Sequence, residues 1–203
     1  LPVTMAGFTN FESGIEQVSA AADRLRKNVY RNAAPRELLY ADLAAAICAT
    51  KLRNASRSIL PNASGLNADA WRPTLAKAHF PFELWPAQLR IAAAGLLQGR
   101  SAVIQMPTSA GKTRATELII RSAFLSQRAS LAVIVAPYRS LCHDIRGDLS
   151  SAFAGEPIKL DEASDAFQFD IKLDEALTGN TVLIVTPEKL LYMLRRTPEL
   201  VER

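Results

Sequence analysis

The chain has 203 residues, 49% of them apolar and 22% charged, enough for one full domain core and a smaller accessory unit. Its net charge of +4 and pI near 9.3 are mildly basic, compatible with a phosphate-rich partner yet short of a nucleic-acid signature by themselves. The longest apolar runs, such as Leu131 to Ala136, fall far below the roughly 20 residues of a membrane-spanning helix, so no span and no membrane partner are expected.

The chain does not begin with Met, and its first residues, Leu1 to Gly7, lack the charged and apolar regions of a secretory leader. The chain is therefore expected to be a piece of a longer protein. From Ser13 to about Tyr30, the residues Ile15, Val18, Ala22, Leu25 and Val29 recur at helical spacing, with Ser13 and Glu16 placed as a capping box. A second helix is expected from Pro35 to about Leu52, with Leu39, Leu43, Ala46 and Ile47 on one apolar face and Pro35 in its first turn. Pro61-Asn62-Ala63-Ser64-Gly65 reads as a loop. Residues 1–70 thus predict an all-helical accessory unit, a possible docking surface for a protein partner.

Beyond it, short apolar runs alternate with helical patterns, which predicts an α/β fold with a parallel sheet covered on both faces by helices. Strands are expected at Ser101 to Met106, Leu131 to Ala136, Pro157 to Leu160 and Thr181 to Val185. Helices are expected at Pro86 to Gln98, Gly111 to Leu125, Tyr138 to Phe153 and Pro187 to Arg196. No repeat or low-complexity tract interrupts this pattern.

Between the first of those strands and its helix lies Met106-Pro107-Thr108-Ser109-Ala110-Gly111-Lys112-Thr113-Arg114, the strand-loop-helix context of a phosphate-binding loop. Backbone N–H groups at the helix start would form an anion nest, and Gly111 would let the chain approach the phosphates. Lys112 would reach the β- and γ-phosphates, and Thr113 offers the short hydroxyl that such loops use as a magnesium ligand. Met106 stands where a P-loop has its first glycine, which argues against a generic kinase or GTPase. Pro107 to Thr113 resembles motif I of superfamily 2 nucleic-acid helicases, which commonly lack that glycine.

The resemblance covers about Trp71 to Arg203 and implies a RecA-like motor domain in residues 71–203, with ATP and Mg2+ as cofactors. Pro86-Ala87-Gln88 resembles the Q-motif region, implying that Gln88 pairs with adenine, for which an amide has both donor and acceptor. Trp71 occupies the position of a base-stacking aromatic in DEAD-box members. Pro137-Tyr138-Arg139 resembles motif Ia and Thr186-Pro187-Glu188, within a TPEKL sequence, looks like motif Ib of the DExH branch, Ski-like and DNA-repair types above all. Both turns would touch the backbone of single-stranded or partly duplex DNA or RNA.

Two Asp-Glu-Ala triplets, Asp161 to Ala163 and Asp174 to Ala176, could be taken for the acidic Walker B motif. Each follows Ile-Lys-Leu rather than a continuously apolar strand, and both precede TPEKL, against the family order. They read as part of a solvated acidic helix-loop surface, and the true motif II is expected shortly after Arg203. The resemblance also implies a second RecA-like domain in the same parent chain. Cys48 and Cys142 lack CxxC partners, so free thiols in a reducing cytoplasm are expected rather than disulfides or zinc. His79 and His143 lack ligand spacing and read as structural or surface residues. The resulting expectation is an ATP-dependent helicase or translocase whose catalytic groups here are Lys112 and Thr113. A duplex translocase that does not unwind, and a nucleotide-binding interaction module, are the alternatives.

Overall fold

The computed structural model describes residues 11–32, 35–107, 110–163 and 179–196. The second Asp-Glu-Ala triplet, Thr108 and Ser109 lie outside them. The chain divides into two compact units, one ending at Leu89 and the other beginning at Arg90.

The first unit is helical: α1 (Phe11–Asn32), α2 (Pro35–Arg53), α3 (Ser56–Ser64), α4 (Ala68–Leu75) and the start of α5 (Pro86–Ala93). Helix α1 begins upstream of Ser13, so Ser13 lies inside its first turn rather than at the cap. Helices α1 and α2 pair through Asp42, which accepts from Arg26 Nε at 2.6 Å and from Tyr30 Oη at 2.8 Å. The Tyr30 hydroxyl, and after it Arg26, hold the Asp42 carboxyl below its ordinary pKa. The apolar face expected to pack lies open: Leu39, Leu43 and Ile47 are 66%, 54% and 47% exposed, Ala46 is exposed, and the buried residue of α2 is Ala41. An apolar stripe predicts that a helix wants cover, without saying what supplies it.

The expected loop at Pro61 is instead the second half of α3, which ends at Gly65. Proline's fixed φ is helical and its ring forfeits one N–H bond, which this short helix tolerates. Trp71 is fully buried, and its indole N–H donates to Ser64 Oγ at 3.0 Å. It is a core residue here and has no open face for a base, which corrects the stacking expectation.

The second unit is a three-stranded parallel sheet flanked by helices, in the order β1 (Leu131–Val135), β3 (Asn180–Val185), β2 (Ile158–Ala163). Register runs Leu131 to Thr181 and Val135 to Val185 on one side, Ile158 to Asn180 and Ala163 to Val185 on the other. Alternate residues of a strand face opposite ways, and the core divides accordingly. Val182 and Ile184 pack with Ile120 and Phe124 of α6 (Lys112–Leu125) and with Cys142, Leu149 and Phe153 on or beside α7 (Arg139–Ala152). Leu183 and Val185 pack with Leu190 and Met193 of α8 (Pro187–Arg196) on the other face. Central β3 is buried from Thr181 to Val185, as a strand sandwiched between helices should be.

Three expectations fail instructively. Ser101 to Met106 is not a strand: Val103 is fully exposed and Ile104 is 44% exposed. Strand character is completed by a ladder, and no described residue pairs with this segment. The expected helix Pro86 to Gln98 stops at Ala93, and the chain turns through Gly95 at φ +79° into a 3-10 turn, Leu96–Gln98. A Cβ on Gly95 would meet only the flexible side chain of exposed Arg100, which can shift, so it is the positive φ that calls for glycine at this break. The first Asp-Glu-Ala triplet is also not on a helix or loop: Asp161, Glu162 and Ala163 end strand β2.

Candidate functional site

Gly111 caps α6 with φ +81° and ψ 44°, and its carbonyl accepts the first helical bond, from Ala115 N–H at 3.0 Å. A left-handed residue here turns the chain sharply, so Lys112, Thr113 and Arg114 enter the helix with their N–H groups at the positive end of its dipole. No side chain caps this terminus. Just upstream, Ala110 N–H bonds the Pro107 carbonyl at 3.1 Å. Met106, in place of a glycine, packs against Ile91, Leu96 and Ala115 and so anchors the loop's entry. The Lys112 side chain is exposed and able to reach a bound anion.

Arg114 points along the helix, where Nη1 donates to Glu117 Oε2. Glu117 is 2% exposed, and its other oxygen accepts from Arg121 Nε at 2.8 Å. Arg121, also 2% exposed, donates from Nη1 to both Glu156 oxygens at 2.7 and 2.6 Å and from Nη2 to the Ala152 carbonyl at 2.7 Å. Its guanidinium lies 4.5 Å over the Phe153 ring. Sequence reasoning missed this buried clamp, although Glu117 and Arg121 at i and i+4 were a visible signal. It also missed Asp148, whose Oδ2 accepts from the Thr113 hydroxyl at 3.2 Å.

The two turns expected to hold a nucleic-acid strand come together. Val135 and Val185 are register partners, and Ala136 N–H donates to the Val185 carbonyl at 2.9 Å. Pro137, Tyr138 and Arg139 therefore leave the sheet beside Thr186, Pro187 and Glu188, at the carboxyl ends of adjacent parallel strands, where open α/β sheets hold ligands. Pro137, Tyr138, Arg139, Pro187 and Glu188 are exposed and Thr186 is half-buried. Tyr138 starts α7 from an extended backbone with no side-chain cap. Pro187 opens α8, and the Thr186 carbonyl accepts from Leu190 N–H at 2.9 Å. Two helix N-termini thus share one rim, a surface suited to phosphates.

Gln88, in the other unit, is buried, and its Oε1 accepts the Trp85 N–H at 2.9 Å. This is the reciprocal half of a capping box at the start of α5, so one amide acceptor already serves the helix. Cys142 is buried in the core, and burial first, then the Glu162 charge, pushes its thiol pKa up. His143 is largely exposed, with Nδ1 3.6 Å from Glu162 Oε2, and His79 is exposed.

Among the described residues no three His, Cys, Asp or Glu side chains gather as a metal site. A magnesium ion arriving with phosphates needs only one or two protein oxygens, and the Thr113 hydroxyl is an oxygen donor of the right kind. Among the same residues no helix is long and apolar enough to cross a membrane.

Comparison with known proteins gives the chain a family. The DEAD/DEAH box helicase family matches residues 85–202. Hachiman protein HamB of Bacillus cereus is 38% identical over 109 residues, covering 53% of this chain and 10% of the relative. ATP-dependent DNA helicase Hel308 of Pyrococcus horikoshii is 32% identical over 113 residues, covering 56% of this chain and 15% of the relative. Hel308 of Thermococcus kodakarensis is 28% identical over 113 residues, 56% of this chain and 10% of the relative. The chain thus spans a small part of the curated relatives it matches, and no solved structure matches it.

Proposed function

The chain belongs to the DEAD/DEAH box helicase family, within the superfamily 2 helicases, and on that footing we propose that it is the ATP- and strand-binding part of the first motor domain of an ATP-dependent DNA helicase. In this reading residues 1–70 are an accessory unit, residues 71–203 begin the motor, and the branch is the Ski-like DExH one. The Hel308 relatives are named as ATP-dependent DNA helicases, which favours DNA over RNA as the strand. The observation that carries the proposal is the rim where Pro137 to Arg139 and Thr186 to Glu188 leave adjacent strands, within one unit with the glycine-capped helix α6.

The α6 N-terminus binds the triphosphate through backbone N–H groups from Gly111 to Arg114, and Lys112 neutralises the β- and γ-phosphates. Magnesium, when bound, draws charge from the phosphate oxygens; Thr113 is the residue of this chain that holds it. Gln88 contacts adenine with the part of its amide that the cap leaves available. The rim takes the sugar-phosphate backbone, Arg139 and the helix N-termini supplying positive potential without reading sequence. A second RecA-like domain of the parent chain completes the ATP site.

The test is ATP hydrolysis and strand displacement by the full-length protein and its Lys112→Ala variant. Both activities are expected to depend on Lys112. Hydrolysis without release of a strand would make the protein a duplex translocase instead. Unchanged cellular function in Lys112→Ala would abandon the motor reading for an interaction module. Preference for single-stranded RNA over DNA in a binding competition would overturn the choice of strand.

A further inference from the structure

Asp148 has no part in the phosphate-binding pattern legible in the sequence, yet it accepts the proton of the hydroxyl on which that pattern ends, Thr113 Oγ1, at 3.2 Å. The two residues lie 35 positions apart, on the first turn of α6 and the third turn of α7. Their approach is built into the core. One turn beyond Asp148, the Ala152 carbonyl and then Glu156 are gripped by the buried guanidinium of Arg121, two turns along α6 from Thr113. The helices are thus tied at two levels, and the buried tie sets the distance of the exposed one.

A threonine hydroxyl has one proton and two acceptor lone pairs. With the proton committed to Asp148, the lone pairs are left for an electrophile. The carboxylate itself would repel a bare triphosphate, and that repulsion is relieved when the phosphates arrive with a divalent cation. We propose that Asp148 is a positioning residue of the nucleotide site: it fixes the Thr113 hydroxyl so that its oxygen faces the cation carried by the triphosphate, and its charge makes triphosphate binding depend on that cation. This rests on the phosphate-cradle reading of α6 given above.

The experiment is titration calorimetry of ATP, with and without magnesium, into the full-length protein and four variants. Asp148→Ala is expected to lose about tenfold in affinity for ATP with magnesium, the lower end of what such supporting contacts contribute. It should bind magnesium-free ATP at least as well as the parent. Asp148→Asn keeps an acceptor oxygen and should recover most of the magnesium-dependent affinity, whereas Asp144→Ala, one turn earlier on α7, should match the parent. Equal weakening of Asp148→Ala with and without magnesium would mark a structural role and overturn the proposal. So would parental behaviour of Asp148→Ala, or an Asn variant as weak as the Ala variant. Lys112→Ala separates the two levels: ATP binding that ignores Lys112 defeats the phosphate cradle itself, while binding that needs Lys112 and ignores Asp148 defeats this inference alone.

Discussion

Gly111 adopts φ +81° at the point where loop becomes helix, a conformation that costs an L-residue on the order of 1–3 kcal/mol. Gly111→Ala should therefore weaken ATP binding well beyond its modest effect on thermal stability; calorimetry and a melting curve on one preparation check both. Arg121 presents the opposite case, a residue whose loss is structural. Arg121→Met leaves Glu117, 2% exposed, with its Arg114 contact but without Arg121, and losing one charged hydrogen-bond partner of a buried carboxylate in this way costs about 1–3 kcal/mol. A fall in unfolding free energy below 1 kcal/mol in denaturant titration would show that Glu117 finds other partners. At this scale the sequence was informative where chemistry is local. Gly111, Lys112 and Thr113 are adjacent, so their pattern is visible in the chain. Asp148 meets Thr113 only because α7 folds back along α6, and no spacing rule announces that.

Elements were legible where their own side chains decide them, and less so where a neighbour does. Helices α2, α7 and α8 lie within a residue or two of their expected limits because capping and period are local properties. Ser101 to Met106 has the composition of a strand, but backbone pairing is a property of two segments, and among the described residues the second is absent. Burial direction was similarly hidden, since the stripe Leu39, Leu43 and Ile47 is real in sequence and open in structure. The α1–α2 pairing carries a pH prediction. Asp42 has its pKa lowered by Tyr30 and Arg26, so its contribution is present above the ordinary aspartate pKa of about 3.9 and is lost as pH falls through the lower folded value. Far-UV circular dichroism should show helix loss in that acid range, and Asp42→Asn should shrink the pH-dependent part. An unaltered acid transition in the variant would assign it to other carboxylates.

For the molecule as a whole, the α/β class with helices on both faces followed from the alternation of apolar runs and helical periods, whereas strand order did not. Nothing in Leu131 to Val135 or Ile158 to Ala163 says that neither pairs with the other and that both wait for Asn180 to Val185. That order makes a truncation prediction. A chain ending at Gly179 should lose the sheet signal in circular dichroism entirely, since removing β3 removes both ladders; retention of a two-stranded sheet would contradict the topology. The same order sets a clock during synthesis. Strand β1 leaves the ribosome about 50 residues ahead of its partner, roughly 3–10 s at ordinary rates of translation, with Ala132 and Ile134, which pack into the core with Val182 and Ile184, uncovered meanwhile. Nascent chains of this protein should engage holding chaperones within that interval and leave them once residue 185 has emerged.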